Sequence, residues 1–170
     1  MTSVRKARVG KEIKMLLEDP PPGVVVFASP REDDDDEGGD LTLAAQLSPG
    51  ADTPYAGGVF ALEVGLGPRY PFEPPSVKFQ TKLFHPNVDE SGRICLDSLK
   101  LPPAGSWRPS LNLRQVLSQL VILFGEPGLG DPLMKEIADL YKNDHERYCQ
   151  VAREWTRKHA MPQTKRVRLE

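Results

Sequence analysis

The sequence predicts an α+β domain: an N-terminal helix, a four-stranded antiparallel meander, a long irregular segment, then C-terminal helices. Three observations carry that prediction. Sixteen of the seventeen prolines fall between positions 20 and 132, which leaves 1–19, 31–48, 110–126 and 133–161 as the proline-free windows of useful length. Proline lacks a backbone donor and blocks a helix interior, so long helices must fit those windows. Between the helical stretches the hydrophobic period changes to two, and no crossover helix separates the strand-like runs, so consecutive strands pair antiparallel. At 170 residues the chain suits a single domain able to bury its own core.

In the first window Val9, Ile13, Leu16 and Leu17 recur at helical spacing, with Arg5, Lys6, Arg8, Lys11 and Lys14 on the remaining faces. Pro20-Pro21-Pro22-Gly23 ends that helix. Val24–Phe27 then reads as a first strand. Leu41, Leu43, Ala45 and Leu47 alternate in a second, Phe60, Leu62, Val64 and Leu66 in a third, and Val77 and Phe79 in a fourth. Pro/Gly turns at 49–58 and 67–75 join the last three. The stretch 81–109 is too long for an idle connection and is expected to carry function. Leu113, Val116, Leu117, Leu120 and Phe124 form the apolar stripe of the next helix. Asn112 and Gln115 form its capping box, and Leu111 with Val116 its hydrophobic staple. Asp131 is expected to cap a short helix with Pro132 at its first position. Asn143 with Glu146 is expected to cap the last helix, which would bury Tyr148, Val151, Ala152 and Trp155.

Composition narrows the function classes. The 22 basic and 24 acidic side chains give a net charge of −2, which argues against a polyanion-binding protein and predicts no direct nucleic-acid partner. No apolar run reaches the ~18 residues of a membrane span, and the first residues lack the apolar segment of a secretion signal. Cys95 and Cys149 are too few for a disulfide framework. With only His85, His145 and His159 they make a poor zinc site, so no metal is predicted and the compartment is read as reducing. The charge is unevenly placed. Residues 31–40 hold seven carboxylates and one arginine, and are read as a disordered acidic insertion between the first two strands without catalytic consequence. The first 14 residues carry +4, and residues 153–170 another +4. The tail 161–170, set apart from a 1–160 core, contains Lys165-Arg166-Val167-Arg168, a cluster like a nuclear localisation signal. It points to the nucleus, with the cytoplasm as the other compartment.

The long segment holds His85-Pro86-Asn87, then Gly92-Arg93-Ile94-Cys95-Leu96-Asp97, then Trp107-Arg108-Pro109-Ser110-Leu111. A His-Pro-Asn triplet with Cys eight residues after the Asn closely resembles the active-site stretch of ubiquitin-conjugating enzymes. The resemblance extends through Tyr70-Pro71-Phe72-Glu73-Pro74-Pro75, Asp131-Pro132-Leu133 and Ala152-Arg153-Glu154-Trp155-Thr156, and so covers roughly 1–160. It implies the ubiquitin-conjugating (UBC) fold, with ubiquitin, an activating enzyme, a RING-type ligase and a substrate lysine as partners. No cofactor is implied, since ATP is used by the upstream activating enzyme. The segment Leu99–Trp107, with Glu18-Asp19-Pro20-Pro21-Pro22-Gly23 and Arg69-Tyr70-Pro71-Phe72-Glu73, is similar to the subtype that serves the Fanconi anaemia DNA-repair ligase, whose members often run on past the domain. A conjugating enzyme for another ubiquitin pathway, or for a ubiquitin-like modifier, is the alternative.

A free cysteine is commonly a small buried hydrophobe. A polar, turn-rich setting argues instead that Cys95 is the nucleophile which the resemblance makes it, holding ubiquitin's C-terminal carboxyl as a thioester. Exchange between thioesters is nearly energy-neutral, and an ordinary thiol is already a few per cent thiolate at neutral pH, so no histidine base is required. For Asn87 two roles stand together: a turn residue satisfying local backbone, and, by the resemblance, a donor to the oxyanion formed when lysine attacks. His85 is read as a hydrogen-bonded turn histidine. Asp131 matches the family's acidic residue that orients or deprotonates the incoming lysine. Relatives commonly read Asn-Pro-Asp-Asp-Pro-Leu where this chain has Gly128-Leu129-Gly130-Asp131-Pro132-Leu133, so one carboxylate is absent and the loop is expected to be looser. Phe72, Pro109 and the first helix are implied to form the ligase-docking surface, with charge from Arg8, Lys11, Arg69 and Arg108. The activating enzyme is implied to use the same helix, which makes charging and ligase binding mutually exclusive. Lys100 is a candidate site of self-modification in the absence of substrate, with a solvated surface charge as the other reading; Asp97 is a secondary acidic candidate read as structural, and Cys149 is read as a partly buried helix residue. Two other classes fit less well. A non-catalytic scaffold of this fold would lack Cys95, and a papain-like hydrolase would need His145 or His159 beside it.

Overall fold

The structure is a computed structural model that describes residues 3–27 and 39–162. Most of the acidic insertion and of the basic tail therefore lie outside the described residues. Element order matches the expectation: helix α1 (Ser3–Glu18), strands β1 (Val24–Phe27), β2 (Leu41–Leu47), β3 (Phe60–Leu66) and β4 (Ser76–Phe79), a 3-10 turn at Asp97–Leu99, then helices α2 (Leu113–Gly125), α3 (Lys135–Asn143) and α4 (His145–His159). The sheet is a meander in the order β1-β2-β3-β4. Its antiparallel register pairs Val24 with Leu47, Leu41 with Leu66 and Leu62 with Phe79.

The period-two pattern sends Leu43, Ala45, Leu47, Phe60, Leu62, Val64 and Leu66 into the core. The stripe of α2 completes that core: Leu113, Val116, Leu117, Leu120 and Phe124 are all buried, with Leu123 added. The capping box is present as expected. The Asn112 side chain accepts from Gln115 N, and the Gln115 side chain accepts from Asn112 N. At the centre, the Phe124 ring meets those of Tyr55, Phe60 and Phe79 with centroids 4.9–5.8 Å apart, and that of His85 at 6.4 Å. Among the described residues, no helix is long and apolar enough to cross a membrane.

Four local expectations are corrected. The buried stripe of α1 runs through Arg5, Val9, Glu12 and Leu16, while Leu17 is 53% exposed. Neighbours on a helix point about 100° apart, so Leu17 turns out as Leu16 turns in. Two charged residues occupy stripe positions, which hides the stripe from a hydrophobic count. Asp131 caps no helix: α3 starts at Lys135 with Met134 before it. Residues 131–134 are not helical, because the chain there is drawn to the His-Pro-Asn turn, where the Met134 N–H is taken by Pro86 O at 2.9 Å. The cap of α4 is Asp144, whose side chain accepts from Arg147 N, because Asn143 still belongs to α3. The buried residues of α4 are Tyr148, Ala152 and Thr156, with Val151 and Trp155 only half-buried.

Candidate active site

Beyond β4 the chain folds back on itself without forming a further strand. Isolated bridges pair Lys78 with Arg93, His85 with Val88, and Val88 with Ile94. The tight turn between them is built by Asp89, whose Oδ1 accepts from Ser91 N, Ser91 Oγ and Arg93 N, and whose Oδ2 accepts from Arg93 Nε at 2.7 Å. Gly92 is obligatory there. Its φ is +88°, and a Cβ would collide with the Phe79 carbonyl oxygen. The turn delivers Cys95 alongside Asn87, with Cys95 N donating to Asn87 O at 2.8 Å.

His85 anchors this arrangement from below. It is 1% exposed, its Nε2 lies 2.8 Å from Leu123 O, and its Nδ1 accepts from Asn87 N at 3.0 Å. One nitrogen donates and the other accepts, so the ring is neutral. Burial lowers its pKa from 6.5 to about 4, against the opposing pull of the Leu123 carbonyl. As pH falls, the unfolded chain takes up this proton first, so stability is lost between pH 6.5 and about 4. That loss amounts to about 3 kcal/mol when complete. Urea midpoints measured from pH 7 to pH 4.5 should drop less steeply in His85→Gln than in the parent; equal slopes would remove His85 as the source.

Asn87 is 2% exposed and its amide is clamped at both ends by one residue. Nδ2 donates to Gly128 O at 2.7 Å, and Oδ1 accepts from Gly128 N at 2.8 Å. Together with the Met134 N–Pro86 O bond, this holds the 126–134 loop against the His-Pro-Asn turn. Gly130 meets nothing within 4 Å, and neither Gly128 nor Gly130 has a positive φ, so steric need does not account for either glycine. The clamp brings Asp131 to Cys95, but through its backbone: Cys95 Sγ lies 3.7 Å from Asp131 O, and the Asp131 residue is exposed.

The closest side-chain partner of the sulfur is Lys100, whose Nζ donates to Cys95 Sγ at 3.2 Å. That hydrogen bond and the charge of Cys95, then Asp97 and Asp131, raise the Lys100 pKa above its ordinary value, against slight desolvation. Local closure places Lys100 there. Lys100 N donates to Asp97 O, and Lys100 O accepts from Trp107 N at 3.0 Å, sealing residues 101–106 into a loop. Buried Ser98 ties the same turn to α2 through Gln119 Oε1. Ser98 and Gln119 are supports that the sequence reading did not single out, and Gly128, read there only as loosening its loop, is the residue that Asn87 holds. No short-range pattern marks them.

The structure brings Cys95, Asn87, Asp131 and Lys100 together and places the other predicted residues elsewhere. Phe72 is 69% exposed, and Lys11, Arg69, Arg108 and Pro109 are exposed around it on α1 and two loops. Arg69 pairs with Glu73 at 3.2 Å. Arg8 is half-buried and its donors also serve the fold: Nε donates to Glu12, NH1 to Pro109 O at 2.8 Å and NH2 to Leu111 O at 2.6 Å. His145 contacts Cys149 at 3.5 Å, and His159 packs on Trp155. Both cysteines are free, and no group of three or more potential metal ligands exists among the described residues.

A thiol in an open loop, a held amide and an adjacent carboxylate-bearing turn have the chemistry that acyl transfer requires. The comparisons agree with that chemistry. The family model described as ubiquitin-conjugating enzyme matches residues 8–156. The chain is 51% identical over 123 residues to "Ubiquitin-conjugating enzyme E2 T" of Danio rerio, covering 72% of this chain and 63% of that protein. It is 52% identical over 123 residues to the protein of that name in Homo sapiens, covering 72% and 62%. With the Mus musculus protein of the same name it shares 47% identity over 161 residues, covering 95% and 76%. The match thus spans less than two thirds of the fish and human relatives' length.

Proposed function

The chain belongs to the ubiquitin-conjugating enzyme family, and on that premise we propose that it carries ubiquitin on Cys95 and passes it to a substrate lysine. In charging, the Cys95 thiolate attacks the activating enzyme's thioester carbonyl, the new C–S bond forms, and the activating enzyme's own thiolate leaves. In discharge, a lysine amine adds to the Cys95 thioester carbonyl, negative charge collects on the oxygen, and Cys95 leaves as thiolate. The placement of Asn87 beside the nucleophile carries this reading. An amide nitrogen has two N–H donors; one is spent on Gly128 O, and the other is available to the oxyanion. Its bracing role and its oxyanion role are compatible for that reason. Asp131 receives the proton of the incoming amine or orients it. Lys100 is the nearest competitor for the acyl group when no substrate lysine is bound.

The finer assignment is to the Fanconi anaemia pathway, as a nuclear enzyme that monoubiquitinates its target with that pathway's RING ligase. Support comes from the resemblance of Leu99–Trp107 and from the shared name of the three relatives. To test it, the ubiquitin-charged protein is mixed with the Fanconi ligase or with unrelated RING ligases. Acceleration of discharge by the Fanconi ligase alone is expected; equal stimulation by all ligases defeats the pathway assignment. Charging with a ubiquitin-like modifier in place of ubiquitin defeats the choice of modifier. In the absence of ligase, a slowly accumulating adduct that resists thiol is expected, and Lys100→Arg should remove most of it. An undiminished adduct in that variant places self-modification at another lysine.

A further inference from the structure

Outside the active site, the buried charged side chains among the described residues are Arg5 and Glu12, both on α1. Glu12 is 6% exposed and fully engaged. Oε1 accepts from Arg8 Nε at 2.9 Å, and Oε2 accepts from the Tyr70 hydroxyl at 2.5 Å. Each partner leads to a different loop. Tyr70 opens the turn that carries Phe72, and Pro71 O in that turn accepts from Trp107 Nε1 at 2.9 Å. Arg8 spends its other donors on Pro109 O and Leu111 O. The Tyr70 and Trp107 rings pack 5.8 Å apart beneath both loops. One carboxylate therefore joins α1 to the two loops whose exposed tips are Phe72 and Pro109.

A half-buried ion pair is a poor source of stability, since desolvation of the charges offsets much of their attraction. Its return here is geometric. We propose that Glu12 is a positioning residue that holds the Phe72 and Pro109 loop tips in fixed relation to α1, so that partner proteins meet a preassembled docking surface. Preassembly lowers the ordering cost of binding without adding a contact. Glu12 itself touches no partner. The inference rests on the docking role given to this surface under the proposed function.

The test compares the parent with Glu12→Gln, which keeps shape but removes the charge facing Arg8, and with Tyr70→Phe, which removes the hydroxyl. Ubiquitin-loaded protein is titrated with a RING ligase, and discharge to free lysine is measured without ligase. Both variants should raise the KM for ligase about tenfold at unchanged kcat, with free-lysine discharge unaltered. Amide hydrogen exchange at Phe72 and Leu111, whose N–H groups are bonded to Arg69 O and Arg108 O, should quicken in both variants. An unchanged KM overturns the proposal, as does an equal fall in free-lysine discharge, which would mark general loosening of the fold. A parent chain that forms no thioester contradicts the functional reading alone. The exchange comparison then decides the positioning role by itself, and parent-like exchange at both amides ends it.

Discussion

Asn87→Ala should form the Cys95 thioester at the parent rate and discharge it to lysine about 100 to 1,000 times more slowly, the usual cost of losing one oxyanion donor. Charging only exchanges one thioester for another, with access to the sulfur as the main demand. Aminolysis places more charge on oxygen beside a poorer nucleophile, and there an oriented N–H counts most. The clamp supplies that orientation: with Oδ1 held by Gly128 N and one N–H by Gly128 O, the amide cannot swing away. The substitution should cost about 1–3 kcal/mol, the usual net worth of two hydrogen bonds, since both bonds to Gly128 are lost. Single-turnover discharge of purified thioester separates the two steps. Discharge within twofold of the parent would leave Asn87 with the bracing role only.

Phe124→Ala should cost about 3–5 kcal/mol, a large part of the ~5–15 kcal/mol that holds a domain together. Phe124 is 3% exposed and meets Tyr55, Phe60, Phe79 and His85, so its removal opens a cavity that four rings cannot jointly fill. It also loosens the seat of His85, which bonds the adjacent Leu123 carbonyl and supports the Asn87 turn. The control lies two residues away. Ile122 is 56% exposed on the same helix, and its replacement by alanine should stay near ±0.5 kcal/mol. Equal shifts in urea midpoint for the two variants would mean that the core is not organised around Phe124.

What was legible in the sequence obeyed short-range rules. Strand alternation, the Asn112–Gln115 box and the α2 stripe are properties of neighbours within a few residues, and each formed as read. The candidate nucleophile and its amide were legible through the resemblance to a family motif in which they lie eight residues apart. What escaped depends on distant partners. The start of α3 moved because Pro86 claims the Met134 amide, and Asp131 approaches Cys95 because Asn87 grips Gly128, 41 positions away. The full structural role of Arg8 is not legible locally, because its acceptors Pro109 and Leu111 lie more than 100 residues on. The Arg8–Glu12 pair at i,i+4 was a readable hint of that inward role.

Lys100 is the instructive intermediate case. Its separation from Cys95 by five residues suggested proximity, but contact at 3.2 Å depends on the closed 100–107 loop. Gly105 permits that closure, since a Cβ there would collide with Asp97 O and Lys100 Cβ. The closed loop between Cys95 and Trp107 thereby places an amine beside the candidate nucleophile.

The central claim is that Cys95 carries ubiquitin. Its most direct measurement is a non-reducing gel of the protein after incubation with ubiquitin-activating enzyme, ATP and ubiquitin. The account predicts one added ubiquitin that thiol removes and that Cys95→Ala never acquires. A parent protein that gains no ubiquitin, or a thiol-sensitive adduct that survives Cys95→Ala, would contradict it.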